Sequence, residues 1–169
     1  MSAKPTGNTT RGAVYIHSAP AALCPHISWA LESVLGGEVD LDWSPQPLGR
    51  SLMRADLTWY GEPGTGAAIA SAMRGWENLR YEVTEEPSPG LDGSRWSHTP
   101  SLGIHHTWIS ASGDAVINED RIRAAMRHGN ATALRHELDQ ALGTAWDVEL
   151  DNFRHAGDGR PERWLYRVS

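Results

Sequence analysis

Ala13-Val14-Tyr15-Ile16-His17 alternates apolar and polar side chains, and after a short connection Ile27, Ala30, Leu31, Val34 and Leu35 recur at helical spacing. The first run has the period of a half-buried strand and the second lies on one helix face. Pro25 can open that helix, where its missing N–H is no loss, and Gly36-Gly37 can close it in the left-handed conformation. Downstream, Glu38-Val39-Asp40-Leu41-Asp42-Trp43 and Arg54-Ala55-Asp56-Leu57-Thr58-Trp59-Tyr60 each alternate with period two, separated by Ser44-Pro45-Gln46-Pro47 and Gly49. Ile69, Met73 and Trp76 mark a second helix, and Leu79 to Thr84 a fourth strand. The order β-α-β-β-α-β over residues 12–86 predicts an α+β protein with a ferredoxin-like split βαβ core, both helices covering one face of an antiparallel sheet.

Working outward, residues 1–11 are small, polar and aperiodic, and read as a disordered tail. Pro87 to Gly93 is turn-rich and is the candidate internal boundary. Within residues 95–169, Ile104–Ile109 and Ala115–Ile117 predict a β-hairpin around Ser112-Gly113-Asp114. A helical extension follows. Asn118 can cap a helix that begins Glu119-Asp120, Leu134, Leu138 and Leu142 mark the next up to Gly143, and Thr144 can open a last one carrying Trp146, Leu150 and Phe153. Arg163 to Val168 reads as a short final strand. This second half is expected to pack on the first as a single compact unit.

The chain has 169 residues, 15 basic and 21 acidic, with a net charge of −6. That balance argues against nucleic acid and anionic membranes as partners, since both require a basic surface. Lys4 is the sole lysine, so a Schiff base, a Walker loop and a kinase-type site are not expected. Cys24 is the sole cysteine, which excludes an intramolecular disulfide and a multi-cysteine zinc site. No run approaches a membrane span and the N-terminus lacks the apolar core of a signal peptide, so a cytoplasmic protein is expected. Gly61-Glu62-Pro63-Gly64-Thr65-Gly66 resembles a phosphate loop in composition alone and reads more simply as a capping turn. No cofactor is expected.

Two groups of residues carry chemistry. Cys24 sits at a helix start between His17 and His26, where the helix dipole and an imidazolium would lower a thiol pKa; the plainer reading is a small buried cysteine. The eight histidines show no ligand spacing, so no metal is expected. The second group is the sheet face turned away from the two helices, where Tyr15, His17, Asp42, Arg54, Asp56 and Tyr60 form a candidate ligand site, with Glu38, Asp40 and Thr58 beside them. Its carboxylates would repel an RNA backbone. Either this face is a polar site or the segment from Arg95 onward covers it. The chain is tryptophan-rich, and Trp29, Trp43, Trp59, Trp76 and Trp108 fall at or near core positions.

The stretch Arg11-Gly-Ala-Val-Tyr-Ile-His-Ser-Ala-Pro-Ala-Ala-Leu-Cys-Pro-His26 resembles the signature of an actinobacterial family of unknown function, number three-one-four-five in its series. Leu41-Asp42-Trp43, Ala70 to Trp76, Glu82 to Pro87, Thr99 to Gly103 and Leu142 to Asp147 are similar to it as well. The resemblance brings no catalytic residues. It implies an accessory role through an association of relatives with fatty-acid synthesis genes, although two acidic surfaces, this chain's and a carrier protein's, would repel. The expectation is a non-enzymatic accessory or regulatory protein that docks another protein or a metabolite, with edge strands that make a homodimer plausible. The rival is a small enzyme or a ligand- or metal-binding protein with its site around His17, Cys24 and His26.

Overall fold

β1 (Thr10–Pro20) is the axis of the structure, a computed structural model that describes residues 8–156. It pairs antiparallel with β3 (Leu52–Gly61) on one side and β4 (Arg80–Glu85) on the other. β2 (Ser44–Pro45) flanks β3, and β5 (Gly93–Thr99), β6 (Gly103–Ile109) and β7 (Ala115–Val116) extend the sheet beyond β4. The result is one seven-stranded antiparallel sheet in the order β2-β3-β1-β4-β5-β6-β7.

α1 (Cys24–Leu35) and α2 (Thr65–Met73) pack together on one face. Val14 and Ile16 of β1 and Tyr81 and Val83 of β4 meet Ile27, Leu31, Ile69 and Met73 there, all buried. Burial of this apolar area supplies the main driving force for folding. The caps follow the sequence: proline stands in the first turn of α1, and Gly36 ends it at φ 74°. α3 (Glu119–Met126), α4 (Ala131–Leu142) and α5 (Thr144–Arg154) come after the sheet. The Asn118 side chain accepts from the Asp120 N–H, as a helix N-cap does. α5 lies on the opposite face from α1 and α2. Its Glu149 accepts from Thr99 and its Phe153 ring lies under the Arg80 guanidinium, on the side that alternates with Tyr81 and Val83.

Several elements depart from the periodicity. Glu38–Trp43 alternates, and Leu41 is buried, yet it is not a strand. Its backbone donors are used locally, Val39 N–H on the Glu32 carboxylate and Trp43 N–H on the Leu41 carbonyl, so the ladder with β3 starts only at Ser44. β5 is missed by sequence because Gly-Ser-Arg-Trp-Ser-His-Thr is covered on both faces, so polarity no longer reports burial. Pro87 to Gly93 joins two adjacent strands of the same sheet and folds on itself through a Ser88–Leu91 bridge. Thr10 and Arg11, placed in the polar tail by composition, belong to β1. Trp59 is buried and Trp43 and Trp76 pack partly buried against the core, Trp76 from just past the end of α2, but Trp29 and Trp108 are 61% and 50% exposed. The expected strand Arg163–Val168 lies outside the described residues. No helix among the described residues is long and apolar enough to cross a membrane.

Candidate functional site

β1 carries one extra residue between Ile16 and Ala19 relative to both neighbours, a β-bulge centred on His17 and Ser18. Without it, successive side chains would alternate faces; with it, His17 and Ser18 both turn to the α5 face. Ser18 accepts there from Arg80, and Gln46, itself buried, donates to the His17 carbonyl at 2.7 Å. The bulge thus aims His17 at Glu82, at the centre of this face.

Glu82 is fully buried and has three hydrogen-bonding neighbours among the described residues. His17 Nε2 lies 2.7 Å from Oε2, Arg154 engages both carboxylate oxygens through Nε and Nη2, and Ser97 Oγ stands 3.5 Å from Oε1. Arg154 also donates to Asp147 at 3.0 Å. Burial alone would push the Glu82 carboxyl up, but hydrogen bonds and charge from His17 and Arg154 hold it at about 2, against an ordinary 4.5. Arg154, desolvated yet paired with Glu82 and Asp147, is held above its ordinary value. A carboxyl with a lowered folded-state pKa stabilises the fold fully above 4.5 and loses that contribution as pH falls towards 2. Urea unfolding between pH 5 and pH 2 should therefore show a stability slope in the wild type that Glu82→Gln flattens. Equal slopes in the two proteins would contradict the pairing.

Beside this network lies an open cleft of about 380 Å³, walled by Tyr15, His17, Asp42, Arg54, Asp56 and Arg154, with Phe153 along one side. Five of the six residues read from sequence as a ligand face thus come together. Tyr60 does not: it lies opposite Arg11 at the other end of β3 and is 67% exposed. Burial, with Asp56 and Glu82 nearby, pushes the Tyr15 phenol up. The two arginines are engaged, Arg154 by Glu82 and Asp147 and Arg54 by the Ala156 carbonyl at 2.6 Å. Asp42 and Asp56 are exposed and form no ion pair among the described residues.

Sequence reasoning missed Glu82 and Arg154. Glu82 sits between Tyr81 and Val83 and reads as the solvent side of an alternating strand, while Arg154 adjoins an apolar helix face; 72 residues separate them.

The contacts of His17, Cys24 and His26 run apart. His17 turns to Glu82, His26 packs edge-on against Trp29, and the Cys24 thiol points to the Pro20 carbonyl at 3.8 Å. Burial pushes that thiol up, opposite to the direction that activates a nucleophile. Iodoacetamide should accordingly alkylate Cys24 at neutral pH more slowly than it alkylates glutathione; faster reaction would mark an activated thiol. The Gly61–Gly66 turn has its anion already. The Glu85 carboxylate accepts from the N–H groups of Gly64 and Gly66 at 2.8 Å, at the N-terminus of α2. No group of three or more histidine, cysteine or acidic residues among the described residues is placed to hold a metal ion.

The family model described as "Protein of unknown function (DUF3145)" matches residues 13–167. No curated protein and no solved structure matches the chain. On a match that spans nearly the whole sequence, and that includes every residue named as lining the cleft, the chain belongs to the DUF3145 family.

Proposed function

We propose that this protein is a non-enzymatic accessory protein of the cytoplasm whose binding site is the cleft beside α5, and that the cleft takes a cationic group, an alkylammonium or a guanidinium, from a metabolite or a docked protein. The observation that carries the reading is the pair of exposed carboxylates, Asp42 and Asp56, in a cleft whose arginines are already partnered. With Arg154 balanced by Glu82, the Asp42 and Asp56 carboxylates outnumber the Arg54 guanidinium among the described residues of the cleft, and the Tyr15 and Phe153 rings offer surface for the methylenes or π-contacts of a cation. The Glu82 network beneath serves as a rigid floor that fixes His17 and the end of α5.

The first half fits a ferredoxin-like arrangement, supported by the antiparallel order β2-β3-β1-β4 with α1 and α2 on one face. A role next to fatty-acid synthesis rests on the resemblance alone, and the charged walls suit a polar group better than an acyl chain. The enzymatic rival centred on Cys24 is disfavoured by the raised thiol pKa.

Titration of the labelled chain with putrescine, arginine and inorganic phosphate, followed by amide NMR, tests the reading. Putrescine and arginine should move the amides of Tyr15, Asp42 and Asp56, and Asp42→Asn with Asp56→Asn should weaken that response by about tenfold or more, the loss of one or more charge-assisted contacts. A response to phosphate instead, or no response at these amides, would overturn it.

A further inference from the structure

The α2 side of the sheet carries a second open groove, of about 420 Å³, and its floor is made of rings. β5 and β6 set Trp96 opposite His106 and Ser94 opposite Trp108, so these four side chains share a face. Trp96 also stands opposite Val83 of β4, which turns that face towards α2 and away from the cleft beside α5. The His106 ring lies 5.1 Å from that of Trp96 at a tilt of 40°, and 4.7 Å from that of Trp108 at 86°. Pro63, Gly64 and Ala67 form one wall, and Leu91 and Asp92 another. Both walls are held in place. Glu85 accepts from the Gly64 and Gly66 N–H groups at 2.8 Å, and Ser88 and Leu91 exchange two backbone hydrogen bonds. A Cβ at Gly66 would stand 2.8 Å from the Trp96 ring, so glycine there is what lets the indole lie against α2.

The charged residues that line this groove are Glu85 and Asp92, both carboxylates. Asp92 is exposed and forms no ion pair among the described residues. Burial pushes the His106 imidazole down, so at neutral pH it adds a ring face and no positive charge. An anion is therefore poorly suited. The Ser94 hydroxyl is engaged by His106 Nε2 at 3.0 Å, and both Glu85 oxygens by the α2 turn. A primary ammonium or a sugar needs several hydrogen-bond partners and finds these taken. A cation wrapped in methyl groups needs none, and aromatic faces attract it.

We propose that this groove binds a small quaternary ammonium compound that carries no anion of its own, with its methyl groups against the Trp96, His106 and Trp108 rings and Asp92 at the rim. A trimethylammonium group joined to a phosphate is disfavoured, because the phosphate would meet Glu85 and Asp92. That argument also excludes a phospholipid surface as the source. The site does not depend on what the cleft beside α5 binds. Partly exposed cation–π contacts correspond to a dissociation constant on the order of a millimolar, so the ligand leaves on isolation and has to be titrated.

The test follows the indole N–H resonances of Trp96 and Trp108 in the full chain at constant ionic strength. The probes are choline, its uncharged isostere with carbon in place of nitrogen, phosphocholine and putrescine. Choline should shift both resonances saturably, and each of the other three should bind at least about fivefold more weakly. Trp108 is half-exposed, so the chain can fold without it. Trp108→Ala should weaken choline at Trp96 by about fivefold or more, and Trp108→Phe should recover part of the loss. Asp92→Asn should weaken it as well, whereas Asp42→Asn with Asp56→Asn should leave it unchanged. Absence of a saturable choline shift, equal binding of the isostere, phosphocholine or putrescine, or full binding by Trp108→Ala would each overturn the proposal.

Discussion

Arg154→Ala is expected to destabilise the protein by about 3–5 kcal/mol, the cost of leaving a buried carboxylate without its partner. Glu82 is fully buried, and among the described residues Arg154 is the one guanidinium that binds both of its oxygens. At about 2–4 °C per kcal/mol for a domain of this size, the melting temperature should fall by roughly 6–20 °C. Arg154→Lys should recover little, since a single ammonium cannot reproduce the two-pronged contact. Glu82→Gln combined with Arg154→Met should lose less than Arg154→Ala alone, because no charge is then stranded. Differential scanning calorimetry of the three variants decides the matter. A fall of less than about 3 °C for Arg154→Ala would show that the carboxylate finds compensation elsewhere.

The second large effect belongs to Gly12. It lies in β1 between β3 and β4, where an added Cβ would stand 1.8 Å from the Thr84 carbonyl oxygen and 2.5 Å from the Trp59 ring. The first of these neighbours is backbone and the second is a buried indole, so neither can yield cheaply. Gly12→Ala should therefore cost at least about 3 kcal/mol, the upper range for overpacking, by prising β1 from β4. The melting temperature should drop by about 6 °C or more. Gly37→Ala, where nothing lies within 4 Å, is the matched control and should change it little. Comparable melting temperatures for the two variants would contradict the close approach.

What was legible in the sequence is what local physics records. The first strand and helix, with Pro25 and Gly36 at the helix ends, follow from periodicity and backbone restriction. The hairpin of β6 and β7 and the Asn118 cap follow from turn and cap chemistry. Trp146, Leu150 and Phe153 mark the inner face of α5 because apolar residues at helical spacing have a single reason to recur. The cleft was half legible. Tyr15, Arg54 and Asp56 share a face by simple alternation, and β1 and β3 place them side by side. Asp42 arrives by a different route, on a segment that alternates without being a strand.

The hub of the site left no local trace. A bulge at His17-Ser18 has no glycine or proline to announce it, and it appears only when the registers with β3 and β4 are compared. Glu82 looks solvent-facing because alternation reports polarity and not what packs on top; α5 covers it from a distant part of the chain. The same long-range covering hid β5. The Gly61–Gly66 turn shows the converse, a local signal for anion binding that the chain satisfies with its own Glu85.

The most direct measurement is a native mass spectrum of the full chain isolated gently from its host, beside the Asp42→Asn, Asp56→Asn double variant. A bound mass, either a small cation or a second protein, carried by the wild type and absent from the double variant is the result this account predicts. A wild type that carries nothing but further copies of itself, or a bound mass that survives loss of both carboxylates, would contradict it.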